Sequence, residues 1–180
     1  MLLQRANSLL LIVDVQERLA PAVLESKSLI GNCTKLMRAA NHLGIPVLIS
    51  EQYPKGLGHT VPALTELVPA HVFVEKTAFS CASEPALLER IGAAGRVQIV
   101  IAGMETHVCV LQSAFDLVRK DFIPYVVQDA VSSRTHQNHD AGIERLRSAG
   151  VPVVTTEMVI FEWLERADTA QFRALRSLIV

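Results

Sequence analysis

The sequence has no apolar run long enough to cross a bilayer, which takes roughly 18 to 20 residues. The N-terminal apolar run from Leu9 to Val13 ends at Asp14. The same segment lacks the small-residue cleavage site that follows a secretory signal. We therefore expect a cytoplasmic protein without a membrane partner.

Excess charge of either sign is also missing, since 17 Lys and Arg stand against 18 Asp and Glu, for a net charge of −1. No basic field is available to attract the phosphates of a nucleic acid. Neither G-x-G-x-x-G nor G-x-x-x-x-G-K-[ST] occurs, which disfavours a nucleotide-binding or flavodoxin-like domain. We expect a small-molecule substrate and no nucleic-acid partner.

Cysteines are few, and C-x-x-C spacing is absent: the three are Cys33, Cys81 and Cys109. An odd, sparse set argues against a disulfide framework and against a structural zinc site. We expect three free thiols, with Cys33 buried on a helix face.

No linker rich in Gly, Ser or Pro and no internal repeat interrupts the 180 residues, half of which are apolar. One domain spanning residues 1–180 is expected. Short runs rich in Val and Ile predict six strands at 8–15, 46–50, 71–76, 97–103, 123–128 and 151–156. Helical patterns follow most of them, near 26–42, 84–94, 107–120 and 139–149. This alternation predicts an α/β fold whose parallel sheet is covered on both faces.

Reactive side chains stand at or just beyond the C-terminal ends of three predicted strands: Asp14, Lys76 and Cys109. Ligand crevices of open parallel sheets lie at that edge. A strand-to-helix turn at Cys109 would offer backbone N–H groups and would favour a thiolate, so we expect a depressed thiol pKa. Taken singly, Asp14 could instead cap a turn and Lys76 could be a solvated lysine of the rim.

Four motifs resemble, in order and spacing, those of the isochorismatase-like cysteine hydrolases: DVQ at 14–16, EKTAFS at 75–80, GMETHVCV at 103–110 and DAVSSR at 129–134. The loop EQYPKGLGHTVPAL and the tail from residue 155 are most similar to the branch that includes the isochorismatase-domain-containing proteins. The resemblance covers nearly the whole chain.

The resemblance implies a three-layer Rossmann-like fold with a six-stranded parallel sheet in the order 3-2-1-4-5-6. It implies a catalytic triad of Asp14, Lys76 and Cys109. It also implies an oxyanion hole formed by the backbone amides of Glu105 and Cys109, presented by a cis peptide bond between Met104 and Glu105.

Because a cysteine stands at position 109, the activity expected from the resemblance is cleavage of a C–N bond in a small amide or carbamoyl compound through a covalent intermediate. Hydrolysis of a vinyl ether of the isochorismate type is the alternative reaction. A catalytically idle oligomeric binding protein is the alternative of another class.

The predicted substrate-binding residues flank these motifs: Tyr53, Leu57, Phe79, Met104 and His107. Each could instead pack in the core. Arg134 is left outside the catalytic set, because an arginine in such a loop commonly ties it down through carboxylates and carbonyls.

No metal or other cofactor is expected. Nicotinamidase-like members of the family bind a metal through a D-x-H motif, whereas this chain reads SEQYPKGLGH in that region. His59 alone would be a poor divalent site. His136 and His139 have no apparent third ligand and are interpreted as part of a solvated helix face.

A homo-oligomer is expected, because the chain is rich in apolar residues and members of the family commonly assemble. The apolar residues of the tail are Phe161, Trp163, Leu164, Phe172, Leu175, Leu178, Ile179 and Val180. The alternative is that the tail helices simply cover the sheet.

Overall fold

The computed structural model describes residues 1–179 and contains one six-stranded sheet in the order β3-β2-β1-β4-β5-β6. All pairings between neighbouring strands are parallel. The strands are β1 Ser8–Val13, β2 Val47–Gln52, β3 Phe73–Lys76, β4 Gln98–Met104, β5 Ile123–Ser132 and β6 Val153–Val154. The predicted fold class and strand order are confirmed.

The helices are α1 Ser26–Leu43, α2 Pro54–Leu57, α3 Pro62–Thr65, α4 Pro85–Ala93, α5 Leu111–Val118, α6 His136–Ser148, α7 Thr156–Leu164 and α8 Ala170–Leu175. A π-helical turn, Thr106–Val110, precedes α5. Helix α6 begins earlier than the sequence pattern predicts, because the Thr135 side chain accepts a hydrogen bond from the Asn138 amide and caps the helix.

Two apolar cores lie on opposite faces of the sheet. In β1, Leu10 and Ile12 belong to the core that includes α1, whereas Leu9 and Leu11 belong to the core that includes α4 and α5. Successive side chains of a strand point to opposite faces, so a strand covered on both sides must be apolar throughout.

Gly103 lets β4 approach β1 at the C-terminal edge of the sheet. It pairs with Val13 and has a φ of 121°, and a Cβ atom at this position would lie 2.0 Å from the Val13 carbonyl oxygen. Only glycine tolerates both conditions. This close approach brings the residue after β1 near the turn that follows β4.

The tail helices mostly cover the sheet. Trp163 and Leu164 of α7 and Leu175 of α8 are buried, and the Trp163 indole donates a hydrogen bond to the Ser8 hydroxyl. Phe161 remains 43% exposed. Val180 lies outside the described residues. Among residues 1–179, no helix combines the length and apolar character needed to cross a membrane.

Candidate active site

Three chain segments bring Asp14, Lys76 and Cys109 together at the C-terminal edge of the sheet. Asp14 directly follows β1, Lys76 ends β3, and Cys109 lies in the π-helical turn after β4. The Lys76 Nζ atom is 2.8 Å from Asp14 Oδ2, and neither side chain is exposed. The Cys109 thiol interacts with the same carboxylate, and this residue is 6% exposed. A thiol, a carboxylate and an ammonium group therefore meet in one desolvated place.

Lys76 is held by more than the ion pair. Its ammonium group donates hydrogen bonds to Gln52 Oε1 at 2.6 Å, to the Ala78 carbonyl at 3.2 Å and to the Phe79 carbonyl at 3.0 Å. These use its three N–H groups. Asp14 Oδ2 consequently lies in an ion pair with Lys76 but accepts no well-aligned hydrogen bond from any of the described residues. One lone pair of the carboxylate is left free to accept a proton.

The other carboxylate oxygen is held by residues that the sequence pattern does not reveal as part of a site. Ser50 donates its hydroxyl proton to Asp14 Oδ1 at 2.7 Å, and the Cys81 thiol donates to Ser50 Oγ at 3.6 Å. Both residues are fully buried. Only their positions in the sequence could have indicated a role in the site: Ser50 ends an apolar run, and Cys81 directly follows the EKTAFS motif.

The ionisation of the pair follows from burial and mutual attraction. Burial raises the pKa of Asp14, although the charge of Lys76 opposes this. Burial alone would lower the pKa of Lys76, but the neighbouring charge of Asp14 leads the opposing effects and that pKa is raised. The lysine is therefore a persistent cation.

The expected depression of the Cys109 thiol pKa is wrong. Burial raises the pKa of Cys109, the neighbouring Asp14 carboxylate raises it further, and Lys76 only partly opposes them. The charge of Lys76 is already matched by Asp14 at 2.8 Å, so little of it remains to stabilise a thiolate. The resting thiol therefore keeps its proton.

The backbone before the π-helical turn has the cis bond that the resemblance implies. The Met104–Glu105 peptide bond is cis, which confirms that expectation. The amides of Val108 and Val110 both donate to the Glu105 carbonyl oxygen, at 3.1 and 3.2 Å. The amides of Glu105 and Cys109 are not donors to that oxygen.

Side chains from the β5–α6 region hold this turn in place. Arg134 donates from its backbone amide and its Nε atom to Glu105 Oε1, so it ties the loop down as expected. His139 Nδ1 lies 3.0 Å from the Thr106 hydroxyl. This histidine therefore braces the turn.

The five predicted substrate-binding residues fall into three groups. Tyr53 and Phe79 are each 55% exposed, and their backbone atoms hydrogen-bond to Lys76. Leu57 and His107 are half-buried, and His107 Nδ1 lies 2.9 Å from the Ser133 hydroxyl. Met104 is fully buried in the core on the α1 face. The side chains of the first two groups therefore remain at least partly exposed to solvent, whereas Met104 packs in the core.

The region that would carry a D-x-H motif contains an ion pair instead. His59 Nδ1 lies 3.0 Å from Glu51 Oε2, and the amide and hydroxyl of Thr60 donate to Glu51 Oε1. These contacts outweigh burial and lower the pKa of Glu51. Within residues 1–179, no group of three or more His, Cys, Asp or Glu side chains is arranged to hold a metal ion. All three cysteines in this part of the chain are free, as expected.

The sheet order defines an α/β protein with a parallel sheet, and a buried Asp-Lys-Cys cluster lies at the C-terminal edge of that sheet. Residues 8–158 match the model of the isochorismatase domain. The chain therefore belongs to the isochorismatase-like hydrolase family.

Relatives and solved structures support this assignment. The chain is 37% identical to isochorismatase domain-containing protein 1 of Danio rerio over 98% of its own length and 62% of that protein. It is 33% identical to isochorismatase domain-containing protein 2 of the same organism, over 98% and 89%. It therefore spans less than two thirds of the first relative and most of the second.

A MAR1 ribonuclease from Caenorhabditis elegans has the same fold, with a TM-score of 0.93, 34% identity and coverage of 99% of this chain and 92% of that one. The YcaC gene product of Escherichia coli, an octameric hydrolase of unknown specificity, superposes with a TM-score of 0.93 at 24% identity, over 100% and 91%. The second likeness concerns the fold alone.

Proposed function

We propose that the protein is a cysteine hydrolase that cleaves the C–N bond of a small amide or carbamoyl compound through a covalent intermediate on Cys109. One observation carries the proposal. The thiol of Cys109, a buried residue with 6% exposure, lies beside a buried carboxylate whose Oδ2 has no aligned hydrogen-bond donor among the described residues. That arrangement gives a nucleophile and its base.

In the first half-reaction, Asp14 takes the thiol proton and Cys109 Sγ attacks the carbonyl carbon. The backbone amides of Glu105 and Cys109 are the proposed donors to the resulting oxyanion. Asp14 then returns the proton to the leaving nitrogen as the C–N bond breaks. The products of this step are an amine or ammonia and a thioester on Cys109.

In the second half-reaction, a water molecule attacks the thioester while Asp14 accepts its proton. The C–S bond breaks, the acid is released, and the proton returns to the thiol. Lys76 stays charged throughout and stabilises the carboxylate form of Asp14, because the two groups are 2.8 Å apart. The cycle needs no oxidant and no external nucleophile other than water.

Cys109 is a better nucleophile candidate than Cys81, although both thiols interact electrostatically with Asp14. Cys81 is fully buried, and its thiol donates a hydrogen bond to Ser50. Cys109 is 6% exposed, and its own backbone amide is one of the two proposed oxyanion donors. The low exposure of Cys109 favours a small substrate. We propose that Tyr53, Leu57, Phe79 and His107 form the wall around it, with Met104 supporting them from the core.

The remaining assignments complete the proposal: one domain, a cytoplasmic location, no metal or cofactor, and a homo-oligomer. Two exposed apolar residues of α7, Met158 and Phe161, support assembly, and the E. coli protein of the same fold is octameric. The name of the C. elegans relative raises RNA as a substrate. The net charge of −1 does not favour that substrate here.

The proposal is tested by incubating the protein with a panel of small amides, carbamoyl compounds, a vinyl ether and a short RNA, followed by an acid quench and peptide mapping. We expect an acyl or carbamoyl adduct on the Cys109 peptide with a member of the first two groups. Turnover of the vinyl ether or the RNA without an adduct would overturn the C–N assignment. No turnover of any compound would favour the idle binding protein.

A further inference from the structure

Asp14 is held by β2 at two points. Val13 pairs with Ser50 across the β1–β2 ladder, and the Asp14 amide donates to the Ser50 carbonyl oxygen at 3.1 Å. The Ser50 hydroxyl then donates to Asp14 Oδ1 at 2.7 Å. One residue of the neighbouring strand thus sets both the backbone and the carboxylate of Asp14.

The Ser50 hydroxyl has one proton, and its direction is set by Cys81. The Cys81 thiol donates to Ser50 Oγ at 3.6 Å, which occupies an acceptor site of the hydroxyl and leaves its proton for Asp14. Burial raises the pKa of Cys81 to about 11, with Asp14 acting in the same direction, so this thiol carries its proton at neutral pH. The Cys81 amide donates to the buried Ser113 hydroxyl at 2.8 Å, which fixes the residue.

We propose that Cys81 and Ser50 form a buried donor relay that orients Asp14, so that Oδ1 is occupied and Oδ2 is the oxygen that takes the Cys109 proton. Both are positioning residues, because they act through Asp14. The inference rests on the proposed function, since it assigns a role to residues around the same base.

The relay predicts a direction of change for the pH dependence of Cys109 reactivity. The titratable groups that face Asp14 are Lys76 from β3, Cys109 from the π-helical turn and Cys81 from the segment after β3. In Ser50→Ala, the carboxylate loses a donor that stabilises its ionised form. Asp14 then becomes protonated at higher pH. The acid limb of the profile, where Cys109 reactivity falls as pH decreases, therefore moves to higher pH.

The experiment follows alkylation of Cys109 by iodoacetamide across pH, quantified by peptide mapping so that Cys33 and Cys81 are counted separately. It needs no substrate. Below the wild-type midpoint, Ser50→Ala is expected to react roughly tenfold more slowly relative to its own plateau, the effect of losing one hydrogen bond to a charged group. Cys81→Ala is expected to move the acid limb in the same direction but by a smaller amount. Cys81→Ser is expected to return it to the wild-type position, because a hydroxyl can donate to Ser50.

Ser8→Ala is the matched control, since Ser8 is another fully buried serine, at the opposite edge of the sheet. It should leave the acid limb at its wild-type position. A limb that stays in place in both Ser50→Ala and Cys81→Ala would overturn the relay, even if their plateaus or melting temperatures fall. Should Ser50→Ala fail to fold, the Cys81 pair decides alone. A shifted limb together with no turnover of the substrate panel would retain the relay and reject the proposed function.

Discussion

At the scale of single residues, the site depends on how one carboxylate divides its contacts. Asp14 forms an ion pair with Lys76 and accepts a hydrogen bond from the Ser50 hydroxyl. Its Oδ2 keeps a free acceptor lone pair beside Cys109. Every one of these groups is buried, so each interaction is stronger than it would be in water. In the proposed mechanism, the thiol is therefore activated by proton transfer to Asp14 and is not a thiolate at rest.

The pH dependence of hydrolysis follows from Asp14. In the proposed mechanism its ionised form is the base. Burial raises its pKa above the ordinary value of 3.8, so kcat/KM should fall as pH decreases through that raised pKa. Lys76 stays charged beyond its ordinary value of 10.5, because its pKa is raised, and it should cause no loss near neutral pH. A pH profile of kcat/KM checks this. An acid limb at or below the ordinary aspartate range would contradict it.

At the scale of elements, the site depends on the close contact of β1 with β4. Gly103→Ala would place a Cβ atom 2.0 Å from the Val13 carbonyl and force an alanine into a φ of 121°. We expect a loss of several kcal/mol in the free energy of unfolding, at or above about 3 kcal/mol, because backbone must shift to relieve the clash. Urea denaturation measures the change.

Gly31→Ala provides the matched control for this substitution. Gly31 lies inside α1, and a Cβ atom there meets nothing within 4 Å. Alanine in a helix is favoured over glycine by roughly 0.5–1 kcal/mol, so this variant should be as stable as the parent or more stable. Equal stabilities for the two variants would show that the β1–β4 contact is less tight than described.

The elements were largely predictable, because strands buried on both faces need continuous apolar runs and each run stands out. The strand order was not derivable from those runs and came from the family resemblance. Strand β5 extends to Ser132, beyond its apolar run, because a register shift between Ile101 and Gly103 lets the chain pair with β4 again after Gln128 and Asp129. Because those two residues are polar, the apolar pattern of the sequence does not predict the longer strand.

The candidate site was predictable only in part. Asp14, Lys76 and Cys109 stand out as reactive side chains at strand ends, and the structure brings them together. Ser50 and Cys81 do not stand out, because a partner from another strand is known only once β2 lies beside β1. The sign of the Cys109 pKa shift was missed because the sequence shows neither the burial of this thiol nor that Asp14 already neutralises Lys76.

At the scale of the whole molecule, a metal should not be needed. His59, in the loop between α2 and α3, is paired with Glu51, and Thr60 donates to the other carboxylate oxygen of Glu51. Activity should therefore survive dialysis against a strong chelator, measured against a mock-dialysed sample. Loss of activity with recovery on adding zinc would contradict this prediction.

Assembly should be visible in the mass of the particle. We expect sedimentation at micromolar concentration to give at least twice the 19.7 kDa of one chain. Met158→Glu should weaken assembly, because Met158 is 51% exposed on α7 and burying a charge there is unfavourable. Val118→Glu is the control, since Val118 is similarly exposed on α5. A wild-type mass near that of one chain would refute the oligomer.

The covalent role of Cys109 is tested most directly by comparing Cys109→Ala with Cys33→Ala, which removes a buried thiol outside the site. With the substrate identified by the panel, both variants are assayed for turnover and for acyl adducts after acid quench, alongside circular dichroism to confirm folding. The account predicts that Cys109→Ala is folded, forms no adduct and has no detectable turnover, whereas Cys33→Ala retains both. Turnover retained by folded Cys109→Ala, or an adduct that maps to Cys81, would contradict it.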